Sequence, residues 1–282
     1  MQIPRVIHYC WFGGNPLPEE AQRCIDSWKK ICPDYQIRRW DETNYDINCC
    51  PYVQEAYQQK KWAFVSDYAR YDILNTYGGI YLDTDVELIR PIEDILGKGS
   101  FMGMERQASD KAVAVVAPGL GMGMTANHPF CQEVLSLYSR IHFLNQDGSC
   151  NQTTIVKYTT DLLKRHGLKD SDDIQCVAGI WIYPWDYFCP MGFETGELHI
   201  TENTRSIHHY ASSWFTEEEK KVHLFTIRMT KRFGPFAGQK LGRMYSFPYL
   251  VKRKVQRLGF WGALQFSVVK IKQHFIGTKY RE

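Results

Sequence analysis

The sequence predicts an α/β domain with a mostly parallel sheet, followed by a basic, mostly helical C-terminal appendage. Short apolar runs alternate with segments whose apolar residues recur at helical spacing, and this alternation predicts the α/β part. The charge distribution predicts the appendage: residues 220–282 contain 15 Lys and Arg against one acidic residue, whereas residues 1–219 contain 19 basic and 30 acidic residues. We therefore expect one domain over 1–219 and a basic tail over 220–282.

Strands and helices are predicted in turn along the first part of the chain. Runs rich in β-branched and aromatic residues predict strands at 3–12, 35–40 and 80–82. Apolar residues three and four positions apart predict helices at 19–32, 52–60 and 62–77. Pro18 and Pro33 bracket the first helix, and Gly78-Gly79 ends the third.

The same signals continue towards residue 210. They predict strands at 100–105, 112–117, 175–182 and 206–210. They predict helices at 129–143 and 153–166. In a parallel sheet built from such units, ligands lie beyond the carboxyl ends of the strands.

Composition limits the class of protein. With 44% hydrophobic and 23% charged residues, the chain is neither disordered nor fibrous. No run of about 18 apolar residues occurs and the opening residues are too polar for a signal peptide, so we expect a soluble or peripheral protein. Nine cysteines without a CxxC pair favour a reducing compartment.

An Asp-Thr-Asp sequence follows the predicted strand at 80–82. If the backbone stays extended, Asp83 and Asp85 share one face of the strand and converge on one point. Two carboxylates held so closely require a cation, and oxygen ligands suit Mg²⁺ or Mn²⁺ with phosphate oxygens completing the shell. Asp-x-Asp by itself is also common in turns. We expect a divalent metal site that binds a diphosphate.

A second charged pair lies just upstream. Asp67 and Arg70 are three residues apart on an otherwise apolar helical segment, so they share one face. Such a pair is often only a structural ion pair. Next to Asp-Thr-Asp, however, it is suited to hold sugar hydroxyls, and carboxylates at the carboxyl edge of a sheet are costly unless they are used. We interpret both motifs as one site.

Four segments in this order resemble family 32 glycosyltransferases. They are Ile3–Gly14, Ala63–Arg70, Tyr77–Asp85 and Ile207–Trp214. That family includes bacterial capsular-polysaccharide sugar transferases and relatives of the yeast initiating mannosyltransferase, and large clostridial glucosylating toxins share its core pattern. The resemblance implies a GT-A fold, which has a Rossmann-like mixed sheet flanked by helices. It also implies a metal-bridged UDP- or GDP-linked hexose donor, a glycan acceptor and retention of anomeric configuration.

The resemblance also implies which residues bind the donor. Trp11 would stack on the base, although a tryptophan that ends a first strand is often a core residue. Gly13-Gly14 beside it would let the nucleotide approach the backbone. Asp67 and Arg70 would hold donor-sugar hydroxyls, and Tyr81 would be a further donor contact.

The remaining implied residues surround the diphosphate. Asp83 would face the ribose and sugar while contributing to the metal site, and Asp85 would bind the metal directly. His208 or His209 would complete that site; only one can point inward from a strand, and we favour His208. Imidazole suits Mn²⁺ better than Mg²⁺. Ser213 and Trp214 would close over the diphosphate.

The basic tail predicts a partner of its own. Residues 220–282 interleave aromatic and aliphatic residues with cations, as segments at membrane surfaces do. Solvated helix faces or nucleic-acid binding are alternative interpretations of that charge. We expect an anionic membrane and no nucleic-acid partner. A cytoplasmic enzyme at the inner face of the membrane, acting on a lipid-linked glycan in surface-polysaccharide biosynthesis, fits this pattern.

Two other functions fit parts of the sequence. One is a magnesium-dependent phosphohydrolase whose first Asp attacks phosphate; such enzymes usually carry Thr or Val two residues after Asp-x-Asp, where this chain has Glu87. The other is a non-enzymatic glycan- or nucleic-acid-binding module. It leaves the paired carboxylates unexplained.

Overall fold

The computed structural model describes residues 2–105, 113–211, 215–253 and 255. The chain divides into two compact units, residues 1–214 and 215–282. The charge distribution predicts a boundary after Glu219, but that position lies inside a helix. The helix begins with an acidic turn and becomes basic further on, so the change in sign occurs within it. The change in charge therefore does not coincide with the start of the second unit.

The first unit contains a seven-stranded sheet and a separate two-stranded sheet. The strands of the larger sheet are β1 (Val6–Cys10), β2 (Gln36–Trp40), β3 (Gly79–Tyr81), β5 (Phe101–Met104), β6 (Val116–Met124), β7 (Gln175–Val177) and β8 (Ile180–Tyr183). The smaller sheet consists of β4 (Val86–Leu88) and β9 (Ser206–His208). The helices are α1 (Glu19–Ile31), α2 (Pro51–Gln58), α3 (Trp62–Tyr77), α4 (Glu93–Leu96), α5 (Pro129–Tyr138), α6 (Ile155–Arg165) and α7 (Trp185–Phe188).

The larger sheet is mixed. Its strand order is β2-β1-β3-β6-β5-β8-β7. Within the described residues, three neighbouring pairs are parallel and three are antiparallel, so the expectation of a mostly parallel sheet is wrong. The predicted α/β class is confirmed, and the sheet is mixed as the family resemblance implies. Because β6 runs antiparallel to both β3 and β5, the carboxyl ends of β1, β3 and β5 meet at one edge.

Two strand predictions need correction. The single strand expected over 175–182 is a hairpin, β7 and β8, which turns at Ala178-Gly179, both with positive φ. The strand expected over 112–117 starts at Val116 and continues to Met124. Its glycines hide it from sequence patterns, because glycine is depleted in strands. The short elements β4, α4 and α7 carry too few residues for a periodic signal, and the sequence does not predict them.

The second unit is helical where it is described. Helix α8 (Glu217–Phe233) begins with a capping box in which Thr216 and Glu219 satisfy each other's backbone N–H groups. Residues 235–253 are helical again. Gly238 and Gly242 leave no room for a side chain against Thr230 and Thr226, so the two helices pack closely. Across the described ranges, every helix falls short of the length or apolarity needed to cross a membrane.

Candidate active site

Asp83 and Asp85 lie in a turn that connects β3 to β4. Strand β3 ends at Tyr81, and the N–H of Val86 donates to the C=O of Asp83 at 3.1 Å. The condition for convergence, a backbone that stays extended through the Asp-Thr-Asp motif, is therefore not met. The turn gives the two carboxylates different sets of contacts.

Asp83 joins the predicted pair on α3, and we call Asp67, Arg70 and Asp83 the Arg70 cluster. The Arg70 Nη2 atom lies 3.0 Å from Asp67 Oδ1 and 3.3 Å from Asp83 Oδ1. The Arg70 Nε atom donates to the C=O of Ser66 at 3.1 Å, which fixes the plane of the guanidinium. Only 6% of the Arg70 side chain is exposed, against 31% of Asp83. The cluster thus presents the Asp83 carboxylate to solvent.

Burial governs the electrostatics of this cluster. It raises the pKa of Asp67 to about 6, an effect that Arg70 partly offsets and Asp83 reinforces. Burial alone would lower the pKa of Arg70, but the nearby Asp83, Tyr81 and Asp67 raise it above its usual range. One permanent cation therefore lies between two carboxylates, and this arrangement suits recognition of uncharged hydroxyls.

Two buried residues hold Asp83 in place. The Tyr81 hydroxyl donates to Asp83 Oδ1 at 3.1 Å, and the Asp83 N–H donates to the C=O of Gly119 at 3.0 Å. A Cβ on Gly119 would overlap the Asp83 carboxylate, so a side chain there would displace Asp83 from this position. Tyr81 is predicted as a direct donor contact, but only 1% of it is exposed and its hydroxyl is directed to Asp83. Apart from the glycine-rich run around it, Gly119 carries no signal that sequence reasoning could have used.

Asp85 faces His208 across the smaller sheet. Strand pairing places His208 opposite Val86, and the His208 Nε2 atom lies 3.2 Å from Asp85 Oδ1. The adjacent His209 points the other way and contacts Glu87 Oε2 at 2.8 Å. This alternation agrees with the choice of His208 as the inward residue.

Asp85 and His208 form a charged pair. Burial would raise the pKa of Asp85, but the charge and hydrogen bond of His208 lower it to about 2. Burial would likewise lower the pKa of His208, but Asp85 and then Cys189 raise it well above its usual range.

Once His208 releases its proton, the pair provides two of the donors that a divalent ion needs. Among the described residues, no three His, Cys, Asp or Glu side chains are grouped to hold a metal ion by themselves. Asp83 is held by Arg70 and Tyr81, so the three predicted metal ligands are not grouped. One carboxylate and one imidazole fit Mn²⁺ when water and phosphate oxygens supply the other ligands.

Trp11 follows β1 at the edge where β3 leads to Asp83. Its N–H donates to the C=O of Trp40 at 2.8 Å, and its Nε1 donates to the C=O of Asn15 at 2.7 Å. The indole is half-buried, so part of it is available to a ligand. Gly13 does not leave open space, because the ring of Trp62 packs where its Cβ would be. The Cβ side of Gly13 is thus occupied by Trp62, whereas the corresponding side of Gly14 is open.

Sequence reasoning missed three residues near His208. The rings of Tyr210 and His208 have centroids 4.1 Å apart, and the Tyr210 hydroxyl lies 2.9 Å from Cys189 Sγ. Glu105 follows β5 at the same sheet edge, and burial raises its pKa while His208 partly offsets the shift. Tyr210 lies inside the segment Ile207–Trp214, whereas Cys189 and Glu105 carry no sequence signal. Ser213 and Trp214, predicted to close over the diphosphate, lie outside the described residues.

Comparison with known proteins identifies similar chains. Residues 18–102 match the family described as "Glycosyltransferase sugar-binding region containing DXD motif", a range that includes the Arg70 cluster and Asp85. An uncharacterized glycosyltransferase of Acanthamoeba polyphaga mimivirus is 28% identical over 67% of this chain and 77% of its own length. Inositol phosphoceramide mannosyltransferase 1 of Schizosaccharomyces pombe is 30% identical over 57% of this chain, which spans about half (48%) of that relative.

Similar solved structures include that of a glycosyltransferase involved in the glycosylation of the major capsid of PBCV-1. It aligns with a TM-score of 0.43 at 10% identity, over 74% of this chain and 95% of its own.

Proposed function

We propose that this chain, whose residues 18–102 match the glycosyltransferase family with a DXD-containing sugar-binding region, is a metal-dependent, retaining hexosyltransferase. Its donor would be a UDP- or GDP-linked hexose and its acceptor a glycan carried on a lipid. The observation that carries the proposal is the placement of two charged groups on one turn. The Arg70 cluster meets the turn at Asp83, and His208 meets it at Asp85.

Each group matches one part of a nucleotide sugar. The Arg70 cluster offers carboxylate acceptors around one cation, which suits the hydroxyls of the ribose and the hexose. Asp85 and His208 would hold Mn²⁺ or Mg²⁺ against the diphosphate. Trp11, at the neighbouring end of β1, would stack on the base.

The residues of the chain also suggest how the reaction is assisted. A bound divalent ion would supply Lewis-acid stabilisation of the departing diphosphate. Asp67 and Arg70 orient Asp83, and Asp83 orients the donor sugar so that its anomeric carbon faces the acceptor. The acceptor then attacks from the face that the diphosphate leaves, which retains the configuration.

Binding of UDP or GDP, the nucleotide that the reaction releases from the donor, tests this proposal directly. We expect UDP or GDP to raise the unfolding temperature of the protein only when Mn²⁺ is present, since the ion joins the diphosphate to Asp85. Metal-dependent hydrolysis in a screen of UDP- and GDP-sugars would then identify the donor. Stabilisation by free glycan or DNA, but not by either nucleotide with Mn²⁺, would contradict it.

Trp11→Ala should weaken nucleotide binding by about 1–3 kcal/mol, the usual contribution of one base stacked on an aromatic ring. Trp11→Phe keeps an aromatic face and should lose less. Calorimetric titration with UDP and GDP in the presence of Mn²⁺ measures both variants. Equal affinity in Trp11→Ala and the wild type would exclude stacking on Trp11.

The second unit carries the apolar surface that a membrane partner needs. Among the described residues, eight of the thirteen exposed large hydrophobic side chains lie in it: Leu224, Phe233, Phe236, Met244, Tyr245, Phe247, Leu250 and Val251. Residues 235–253 are helical, and Phe247 and Leu250 follow Phe236 by about three and about four turns. The three side chains therefore share one face of this helix. Lys240 and Arg243 lie on that face between them.

We propose that this face binds an anionic membrane at the cytoplasmic side. Each cation near an anionic leaflet contributes about 1 kcal/mol, and the aromatic side chains add apolar burial. A lipid-linked acceptor would then lie at the same surface. The fungal relative is an inositol phosphoceramide mannosyltransferase, and its lipid substrate supports a lipid-carried acceptor for this chain.

Replacing both Phe236 and Phe247 by Ser should weaken binding to phosphatidylglycerol-containing vesicles at least about tenfold, because burying one Phe contributes about 1.5–3 kcal/mol. Co-sedimentation of the full chain measures the effect. The matched control is Leu198→Ser with Ile200→Ser, which alters two exposed apolar residues of the first unit and should bind as the wild type does. Unchanged binding of the Phe236/Phe247 variant would rule out this face.

A further inference from the structure

Tyr210 adopts a backbone conformation that residues with side chains rarely adopt. Its φ is 53°, in the left-handed region where Gly and Asn are the usual occupants. Such conformations persist where surrounding contacts impose them, and they concentrate at functional sites. Tyr210 lies two residues after the inward-facing His208, so its conformation bears on that site.

The turn at Tyr210 directs the chain back onto Asp85. Strand β9 ends at His208, and the N–H of His209 extends the pairing by donating to the C=O of Asp85 at 2.9 Å. The left-handed residue then turns the backbone so that the N–H of Ala211 donates to Asp85 Oδ2 at 2.9 Å. Since Asp85 Oδ1 contacts His208, both carboxylate oxygens are fixed by this segment.

The Tyr210 side chain supports His208 as well. Its ring packs against the imidazole with centroids 4.1 Å apart. Its hydroxyl shares a hydrogen bond with Cys189 Sγ at 2.9 Å, and Cys189 is completely buried. The N–H of Cys189 donates to the C=O of Trp185 at 2.7 Å, which ties the thiol to α7. A fixed thiol therefore anchors the ring that supports His208.

We propose that Tyr210, anchored by Cys189, is a positioning residue that holds His208 and Asp85 in the arrangement in which both bind a divalent cation. This inference rests on the proposed function, because it takes Asp85 and His208 as the metal ligands. Residues that orient metal ligands typically contribute 10–100-fold in metal affinity. Tyr210 would act on the metal only through those two ligands and the turn that fixes them.

The affinity of the full chain for Mn²⁺ in the presence of UDP or GDP tests this role without measuring turnover. Electron paramagnetic resonance of the free Mn²⁺ measures that affinity. We expect Tyr210→Ala and Cys189→Ala to bind Mn²⁺ about 10–100-fold more weakly. Cys189→Ser keeps a hydrogen-bonding partner for the phenol and should restore most of the affinity. The control is Asn127→Ala, which alters another left-handed residue (φ 57°) at the opposite edge, where β3 begins; it should bind as the wild type does.

The outcomes separate this role from the proposed function. No Mn²⁺ binding by the wild type with either nucleotide would overturn both. Weaker binding by His208→Ala, with wild-type affinity in Tyr210→Ala and Cys189→Ala, would leave the metal site in place and overturn the positioning role. A lower unfolding temperature with unchanged Mn²⁺ affinity would overturn it too. If Tyr210→Ala does not fold, the difference between Cys189→Ala and Cys189→Ser decides.

Discussion

Asp85→Asn should reduce turnover of the nucleotide sugar by about a thousandfold or more. The substitution removes one charged metal ligand, and Lewis-acid stabilisation of a leaving group contributes several kcal/mol, of which about 4 kcal/mol corresponds to a thousandfold change in rate. The fold should persist, because asparagine has nearly the same shape and can still accept the N–H of Ala211. Initial rates of nucleotide release with Mn²⁺, together with thermal unfolding, measure both effects.

A matched substitution distinguishes the loss of the metal site from the loss of a carboxylate charge elsewhere on the protein. Asp161 forms an exposed pair with Lys157, and Asp161→Asn should keep wild-type turnover because such pairs contribute little. If Asp85→Asn retained full activity with EDTA present, the assignment of Asp85 to a metal site would be wrong.

Arg70→Met should lower the free energy of unfolding by about 3–5 kcal/mol, the usual effect of removing one partner from a buried charged group. Asp67 and Asp83 would lose their only salt-bridge partner among the described residues. Donor binding should be lost as well, since Asp83 would no longer be oriented. Urea unfolding measures the stability, and calorimetry with nucleotide and Mn²⁺ measures the binding.

The pH dependence of that variant follows from Asp67. Its pKa in the folded wild type is already raised to about 6, above the unfolded value of 3.8, and loss of Arg70 would raise it further. A raised folded pKa means that protonation favours the fold, so stability is lost as the pH rises through it. The gap between Arg70→Met and the wild type should therefore widen as the pH rises above about 6.

Arg23→Met provides the control for Arg70→Met. Arg23 forms an exposed pair with Glu19 on α1, and its loss should cost less than about 1 kcal/mol at every pH. An Arg70→Met effect of that size, or a gap that does not change with pH, would show that the Arg70 cluster is not a coupled buried group.

The parts of the site that follow local rules were predictable from the sequence. Helical spacing places Asp67 and Arg70 on one face, and α3 forms over the predicted residues. Strand alternation selects His208 over His209. These inferences need only the periods of helix and strand.

The parts that depend on distant segments were not predictable. The turn at Asp83 is held by Gly119, which belongs to a strand that its own glycines conceal. Cys189 reaches Tyr210 only because α7 and β9 pack together, and no spacing in the sequence indicates that contact. The conformation of Tyr210 is likewise imposed by tertiary contacts.

The most direct test of the account is the position of the ion when metal and nucleotide are bound together. Crystals grown with Mn²⁺ and UDP or GDP would locate it by anomalous scattering. We predict one peak bonded to the Asp85 carboxylate and His208 Nε2 and to the diphosphate, with the Arg70 cluster facing the sugar end of the nucleotide. A peak bonded to other side chains, or a nucleotide bound away from Asp83 and Asp85, would contradict it.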